Sequence, residues 1–317
     1  MDGERMTSGR VIGNGQTGTS GPRAAGERPT HNAPAGERSI VMVLSAGRCG
    51  TRWLTDGLRR LHPEVVAEHE PIGPLYRPRR YFRHYEHPDA ILDVPEVAAH
   101  VEAIERMPAT YVETGWPLFS VLPLLAERVS ERLRIIHLTR NPVPTALSHL
   151  AHSTYAGSPR HDSYTHLATL GPTDPNVFQP DYAAAWDELS PYEKCLFWWT
   201  EVNMFGLELP GRLDAIPLLR LQSEQLLAGD PAQLEGLLEF IGARWREEWL
   251  EHADRTLDRW EHPTERDVDP LQVHRHPVTV EVAHRLGYDL SGLNLGALLA
   301  HYRGEADPGL DRIRRSA

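Results

Sequence analysis

From residue 38 onward the chain alternates short, continuous apolar runs with stretches whose apolar positions recur every three or four residues. Ile40–Leu44 (IVMVL) is uninterrupted, the pattern of a strand buried on both faces. Thr51–Leu61 sets Leu54, Leu58 and Leu61 on one helical stripe and is stopped by His62-Pro63. Residues 110–113 read as a short strand, and 120–132 as a helix with Val121, Leu125 and Val129 inward. Residues 134–139 (RIIHLT) form a second buried strand, followed by a helix over 142–152. A further strand is expected at 216–221 and a further helix at Pro231–Ile241. This alternation predicts parallel strands joined by crossover helices, an α/β fold with a central parallel β-sheet flanked by helices.

Three segments stand outside the pattern. Residues 1–37 are rich in Gly, Ala, Thr, Ser and Pro and hold no aromatic residue, which predicts a disordered extension ahead of a single domain over 38–317. The tail from about 303 is expected to be mobile. Residues 157–180 are polar and rich in Gly and Pro, and 260–277 are rich in charge, Pro and His; both read as long surface loops near a binding site. In contrast, 194–205 (KCLFWWTEVNMF) concentrates aromatic residues at helical spacing and reads mainly as core, with one face free to line an acceptor pocket.

Composition narrows the partners. A formal charge of -11 over 317 residues disfavours a general binder of nucleic acid or anionic membrane, but leaves room for a local basic pocket. Lys194 is the only lysine, so arginine carries nearly all the positive charge. Cys49 and Cys195 lie far apart and offer neither a disulfide framework nor a metal knuckle. With no membrane-length apolar run and no signal-peptide core, the chain reads as soluble and cytoplasmic. Its oligomeric state is not legible in the sequence.

The chemistry begins where the first strand ends. In SAGRCGTR, Gly47 and Gly50 let the backbone approach an anion, and the helix from Thr51 offers unpaired N–H groups and a positive dipole end. Arg48 and the Thr51 hydroxyl can add side-chain contacts. A Walker loop needs Lys before its Ser/Thr, and none is present, which disfavours an ordinary ATPase or kinase. The same residues also suit a tight strand-to-helix turn with no ligand. A second segment, LRIIHLTRNPVPTALSHLAH, puts Arg140 at a strand end and Ser148 in the next helix, able to grip one phosphate from two sides.

With these two segments the sequence resembles the sulfotransferases that use 3′-phosphoadenosine-5′-phosphosulfate (PAPS). Their 5′-phosphosulfate loop matches Arg48-Cys49-Gly50-Thr51-Arg52-Trp53, and their 3′-phosphate motif matches Arg140-Asn141-Pro142 with Ser148. Weaker echoes are VETGWPLFSVLP (112–123) and LQSEQLL (221–227), so the resemblance spans about residues 38–288. It implies a P-loop NTPase-like sulfotransferase fold, PAPS as co-substrate, no metal, and sulfuryl transfer to a hydroxyl or amine. On the same grounds Cys49 to Arg52 cradle the phosphosulfate, Arg48 stabilises charge on the bridging oxygen, Trp53 stacks on adenine, and Arg140 with Ser148 holds the 3′-phosphate. Cys49 and Arg52 depart from the family's small hydroxyl residues, and its C-terminal nucleotide clamp is not recognisable, with Arg275 the candidate substitute.

The family's K-T-H-x-P histidine is missing: the same place reads Glu113-Thr114-Gly115-Trp116-Pro117. Carbohydrate-modifying and many bacterial members use a Glu after the first helix, which points to Glu70 in VVAEHEPIGPLY as general base. Glu113 is the second candidate and His69 a third; His149 and His152 read as packing or capping residues. The arginines of RPRRYF (77–82) either contact an anionic acceptor or lie on a solvated loop. The acceptor itself, whether a small molecule of bacterial secondary metabolism, a carbohydrate or a lipid, belongs to loops at 71–110, 157–190 and 262–277. The competing reading is a P-loop-type small-molecule kinase, or a protein that binds the nucleotide without transferring sulfate.

Overall fold

A computed structural model describes residues 38–156, 168–253 and 267–304. The expected disordered extension at 1–37 and most of the tail lie outside the described residues, as do 157–167 and 260–266 of the two loops. The described elements run β1 (Ile40–Leu44), α1 (Thr51–Leu61), β2 (Val65–His69), α2 (Pro78–Tyr81), α3 (Pro95–Glu105), β3 (Thr110–Gly115), α4 (Leu122–Arg128), β4 (Leu133–Thr139) and α5 (Pro142–Ala151). After these come α6 (Pro191–Arg212), β5 (Leu218–Gln222), α7 (Ser223–Leu227), α8 (Pro231–Ile241), α9 (Glu248–Ala253), α10 (Pro277–Arg285) and α11 (Leu295–Tyr302).

The five strands make one sheet in the order β2-β3-β1-β4-β5, every pairing parallel. Strand β1 is central because it is apolar at every position, and all five residues are fully buried. Its side chains alternate. Ile40, Met42 and Leu44 join the core that holds α5 and α6, whereas Val41 and Val43 join the core under α1, α8 and α9. The chain after β1 builds β2 and β3 on one side and later adds β4 and β5 on the other. The carboxyl end of β1 is therefore a topological switch point, where α/β sheets open a ligand crevice.

Most expected elements appear within a residue or two, and the exceptions have local causes. The expected helix over 120–132 is a 3-10 turn (Pro117–Ser120) followed by the shorter α4, although Val121, Leu125 and Val129 are buried as expected. The last strand starts at Leu218, since Pro217 has no N–H to give the ladder and offers only its carbonyl, to the Ile135 N–H. Strand β2 is not among the sequence expectations: at the sheet's edge its Val66 is exposed and its run is too short to signal itself. Residues 168–180 are not a free surface loop. Ala168 and Leu170 are buried, and Gln179 donates from Nε2 to Glu201 at 3.0 Å. No helix of the described residues is long and apolar enough to cross a membrane.

Candidate active site

The carboxyl ends of β1, β2, β3 and β4 all lie on one edge of the sheet, which brings together the β1–α1 loop, Glu70, Trp116 and Arg140. In the loop, Gly47, Arg48 and Gly50 have φ of 81, 58 and 80°, so the backbone curls left-handed at three positions out of four. Arg48 is held there against the steric preference of an L residue, a strain of about 1–3 kcal/mol. Gly47 is required on contact grounds as well: a Cβ would come within 3.0 Å of Trp116 Cβ and 3.1 Å of His149 Cε1.

Helix α1 opens at Gly50 with no side-chain cap and no acidic residue in its first turn. Among the described residues the N–H groups of Cys49, Gly50, Thr51 and Arg52 donate no hydrogen bond. A helix start with several unspent N–H groups, a left-handed curl and arginines alongside is a donor set for an anion. A phosphosulfate fits it. Cys49 lines the loop from beneath, its Sγ on the Gly47 carbonyl at 3.0 Å, and burial pushes its thiol up to about 12, so it stays protonated.

The second phosphate motif meets this loop. Arg48 Nε donates to Ser148 Oγ at 2.8 Å, and Arg140 Nη1 donates to the Arg48 carbonyl at 2.8 Å. Asn141 caps α5, accepting from the Val143 N–H at 3.0 Å with Pro142 at the first helical position, which aims Ser148 at the loop. Arg48, some ninety residues ahead of Arg140 and a hundred ahead of Ser148, thus joins both in one contiguous group.

Two neighbouring tryptophans of α6 hold the two loops in register. Trp198 Nε1 donates to the Ala46 carbonyl and Trp199 Nε1 to the Arg140 carbonyl, each at 2.8 Å. His149 Nε2 gives the Ala46 carbonyl a second donor at 2.8 Å. Burial, with Arg48 beside it, lowers His149 to about 3, so the ring is neutral and its role is the packing one expected. Glu224, in the LQSEQLL echo, accepts from the Asn141 N–H at 2.8 Å, and Tyr302 Oη donates to the Pro144 carbonyl at 2.9 Å, close enough to Arg140 to perturb it. The sequence offered only aromatic spacing and a weak echo as signals for these residues.

The two candidate carboxylates part company. Glu113 is fully buried and accepts from Tyr76 Oη at 2.6 Å, Tyr111 Oη at 2.8 Å and His100 Nε2 at 2.8 Å. That saturates it inside the α3 side of the core. Glu70 is partly exposed at the end of β2, with φ of 48°, and its N–H donates to the Thr114 carbonyl at 2.9 Å. Burial raises its carboxyl above the usual range, while the Trp116 N–H, Arg52 and Arg48 pull it partly back. Its Cγ passes so close over Gly115 that a Cβ there would meet it at 2.7 Å.

Other expected residues find different places. Trp53 is packed between α1 and α9: its ring stacks on His252 at 4.9 Å and its Nε1 donates to the His252 carbonyl at 3.0 Å. Arg52 is exposed on the first turn of α1, close enough to perturb both His69 and Glu70. Arg79 pairs with Asp174, Arg80 with Asp93 and Arg83 with Glu208, so three arginines of residues 77–83 are spent on ion pairs. Arg275 is exposed beside His276, which bonds Tyr182 at 2.6 Å, and it contacts neither Arg140 nor Ser148 among the described residues.

No protein-family model matches the chain, and no curated protein does. Among solved structures it is similar to the sulfotransferase domain from the curacin biosynthetic pathway, at 16% identity over 80% of this chain and 99% of that one, with a TM-score of 0.46. It is similar to a sulfotransferase from Alicyclobacillus acidocaldarius, at 16% identity over 80% and 98%, with a TM-score of 0.43. A mouse sulfotransferase complexed with PAP is similar at 14% identity over 85% and 89%, with a TM-score of 0.43. The functional reading rests on the site's own residues.

Proposed function

We propose that the protein is a PAPS-dependent sulfotransferase, moving the sulfuryl group to a hydroxyl or amine of a small-molecule, carbohydrate or lipid acceptor. The observation that carries this reading is the junction of the two motifs, where Arg48 bonds Ser148 and Arg140 bonds the Arg48 carbonyl. A donor bearing a 5′-phosphosulfate and a 3′-phosphate needs two anion sites a short distance apart, whereas ATP needs only the first. PAPS supplies the activated sulfuryl group when bound.

In this reading the N–H groups of Cys49 to Arg52 and the Thr51 hydroxyl cradle the 5′-phosphosulfate, and Arg140 with Ser148 binds the 3′-phosphate. Arg48 neutralises charge on the bridging oxygen as the S–O bond breaks, the largest expected electrostatic contribution. Glu70 accepts the acceptor's proton as the new O–S or N–S bond forms. Its raised carboxyl suits that task, because a stronger base at the same pH takes the proton more readily. Trp53 has one face engaged by His252, so an adenine contact would use what remains of its ring.

The test compares ligands by thermal shift. Adenosine 3′,5′-bisphosphate is expected to raise the melting temperature without metal, and Mg-ATP to raise it less. Stabilisation by Mg-ATP alone would favour the kinase reading and sink this one. Arg140→Ala is expected to weaken bisphosphate binding by about 1.5–3 kcal/mol, the scale of a hydrogen bond to a charged group. The same change is expected to leave binding of adenosine 5′-phosphosulfate, which lacks the 3′-phosphate, nearly unaltered.

A further inference from the structure

Successive side chains of a strand point to opposite faces, so His69 and Glu70 should diverge. They do not. The left-handed backbone at Glu70 (φ 48°) turns its side chain back, and His69 Nε2 lies 3.8 Å from Glu70 Oε1. Such backbone strain persists only where the surroundings over-determine it. Here the determinant is Thr114. Its carbonyl accepts the Glu70 N–H at 2.9 Å and its Oγ1 meets His69 Nδ1 at 3.0 Å. The same Oγ1 donates to the Thr51 carbonyl at 3.2 Å and lies 2.7 Å from Thr55 Oγ1. One buried threonine therefore ties both residues to the first turn of the helix that forms the anion loop.

We propose that His69 and Glu70 form a proton relay, with Thr114 as the positioning residue that fixes the imidazole. The inference rests on the sulfotransferase reading. As the acceptor's O–H bond breaks, its proton goes to Glu70 while the acceptor oxygen bonds sulfur. The S–O bond to the donor breaks and leaves its electron pair on the bridging oxygen. The proton then passes from Glu70 Oε1 to His69 Nε2 through a water that bridges the 3.8 Å between them, while Nδ1–H stays on Thr114 Oγ1, and from the imidazolium to water. The route reaches solvent because the His69 and Glu70 side chains are 18% and 26% exposed.

The groups facing His69 set how long it keeps the proton. Arg52 and Arg59 of α1 and Arg48 of the loop are positive; Glu70 is the acidic neighbour; Thr55 and Thr114 are neutral hydroxyls. Burial together with these cations lowers His69 to about 4, so the ring is neutral at pH 7 and releases a proton quickly. Because burial raises the Glu70 carboxyl while it lowers His69, the transfer to Nε2 runs uphill, and the prompt loss of the proton from the imidazolium to water draws it forward and returns Glu70 to its ionised form.

The test uses the full chain, with PAPS as donor and water as the acceptor present in every assay, read as bisphosphate release. His69→Asn keeps an amide donor where Nδ1 bonds Thr114 but has no atom at the Nε2 position. It is expected to lower turnover roughly tenfold to a hundredfold, within the range of acid–base effects, with bisphosphate affinity within twofold of wild type. Added imidazole is expected to restore much of the rate, which it would not do for a merely structural defect. Turnover within twofold of wild type, or a loss that imidazole does not rescue, overturns the relay. A second measurement needs no turnover. Long-range ¹H–¹⁵N correlation spectra at neutral pH should find His69 Nδ1 protonated and Nε2 bare, and the opposite tautomer would also overturn it. Failure of the wild type to bind the bisphosphate would instead defeat the underlying sulfotransferase reading.

Discussion

Glu113 and Thr114 are consecutive in β3, yet they look into different worlds. Glu113 faces the α3 side, where two tyrosines and a histidine satisfy it and solvent is excluded. Thr114 faces α1 and braces His69 and Glu70, whose carboxylate is partly exposed and carries a strained backbone. Both regions are dense in polar groups; what separates them is completeness. A closed set of buried hydrogen bonds specifies packing, whereas unspent donors, left-handed residues and a half-buried carboxylate leave capacity for a ligand.

The largest effect should come from Glu70→Gln. Loss of a general base is expected to cut bisphosphate release from PAPS by about 10²–10⁴-fold, with bisphosphate affinity within twofold of wild type. Stability should not fall. A carboxyl raised by burial binds protons more tightly folded than unfolded, so it lowers stability as pH rises from the unfolded value through the folded one. Gln removes that liability, and the melting temperature at pH 7 should equal or exceed wild type. Wild-type turnover in this variant would end Glu70's candidacy. In the parent, turnover should fall on acidification through a limb displaced above the ordinary carboxylate range.

Glu113→Ala should give the mirror image. It strands Tyr76 and His100 and leaves Tyr111 only Glu68 as acceptor, and breaking a buried charged pair costs about 3–5 kcal/mol. Chemical denaturation should register that loss, while turnover per folded molecule stays near wild type. A stable variant with lost turnover would reverse the two assignments.

Gly115→Ala probes the boundary between the regions. Its Cβ would stand 2.7 Å from Glu70 Cγ, so the carboxylate must move. A misplacement near 1 Å costs on the order of 10²-fold in rate, and the loss should fall on turnover rather than on bisphosphate affinity. Unchanged turnover would mean that Glu70's observed position does not matter.

How much of this was legible beforehand follows the range of the forces. The central strand, α1, α5 and α8 were readable because burial imprints a period on the sequence within one element. Arg48, Arg140 and Ser148 could be paired because each sits at a fixed offset from a strand end. The ranking of Glu70 against Glu113 could be guessed but not argued, since it depends on tyrosines and a histidine brought in by other elements. Thr114 carries no local signal at all: its importance lies in meeting α1, 63 residues away in sequence from Thr51. Trp198 and Trp199 looked like core and are core, yet their N–H groups also fasten the carbonyls of Ala46 and Arg140 at the two strand ends.

Those tryptophans support the finest prediction. The Arg140 carbonyl stands one residue before the N-cap Asn141, outside the hydrogen-bond ladder of α5, so no helical N–H serves it. Trp199 Nε1 supplies the missing donor. The Ala46 carbonyl, in contrast, is served by both Trp198 and His149. Phe keeps most of the ring and removes only the N–H, so Trp199→Phe should cost about 1 kcal/mol in stability and weaken bisphosphate binding a fewfold. Trp198→Phe should cost less on both measures, because His149 still satisfies its carbonyl. Equal losses in the two variants would mean that ring packing, rather than the two N–H groups, holds the loops in register.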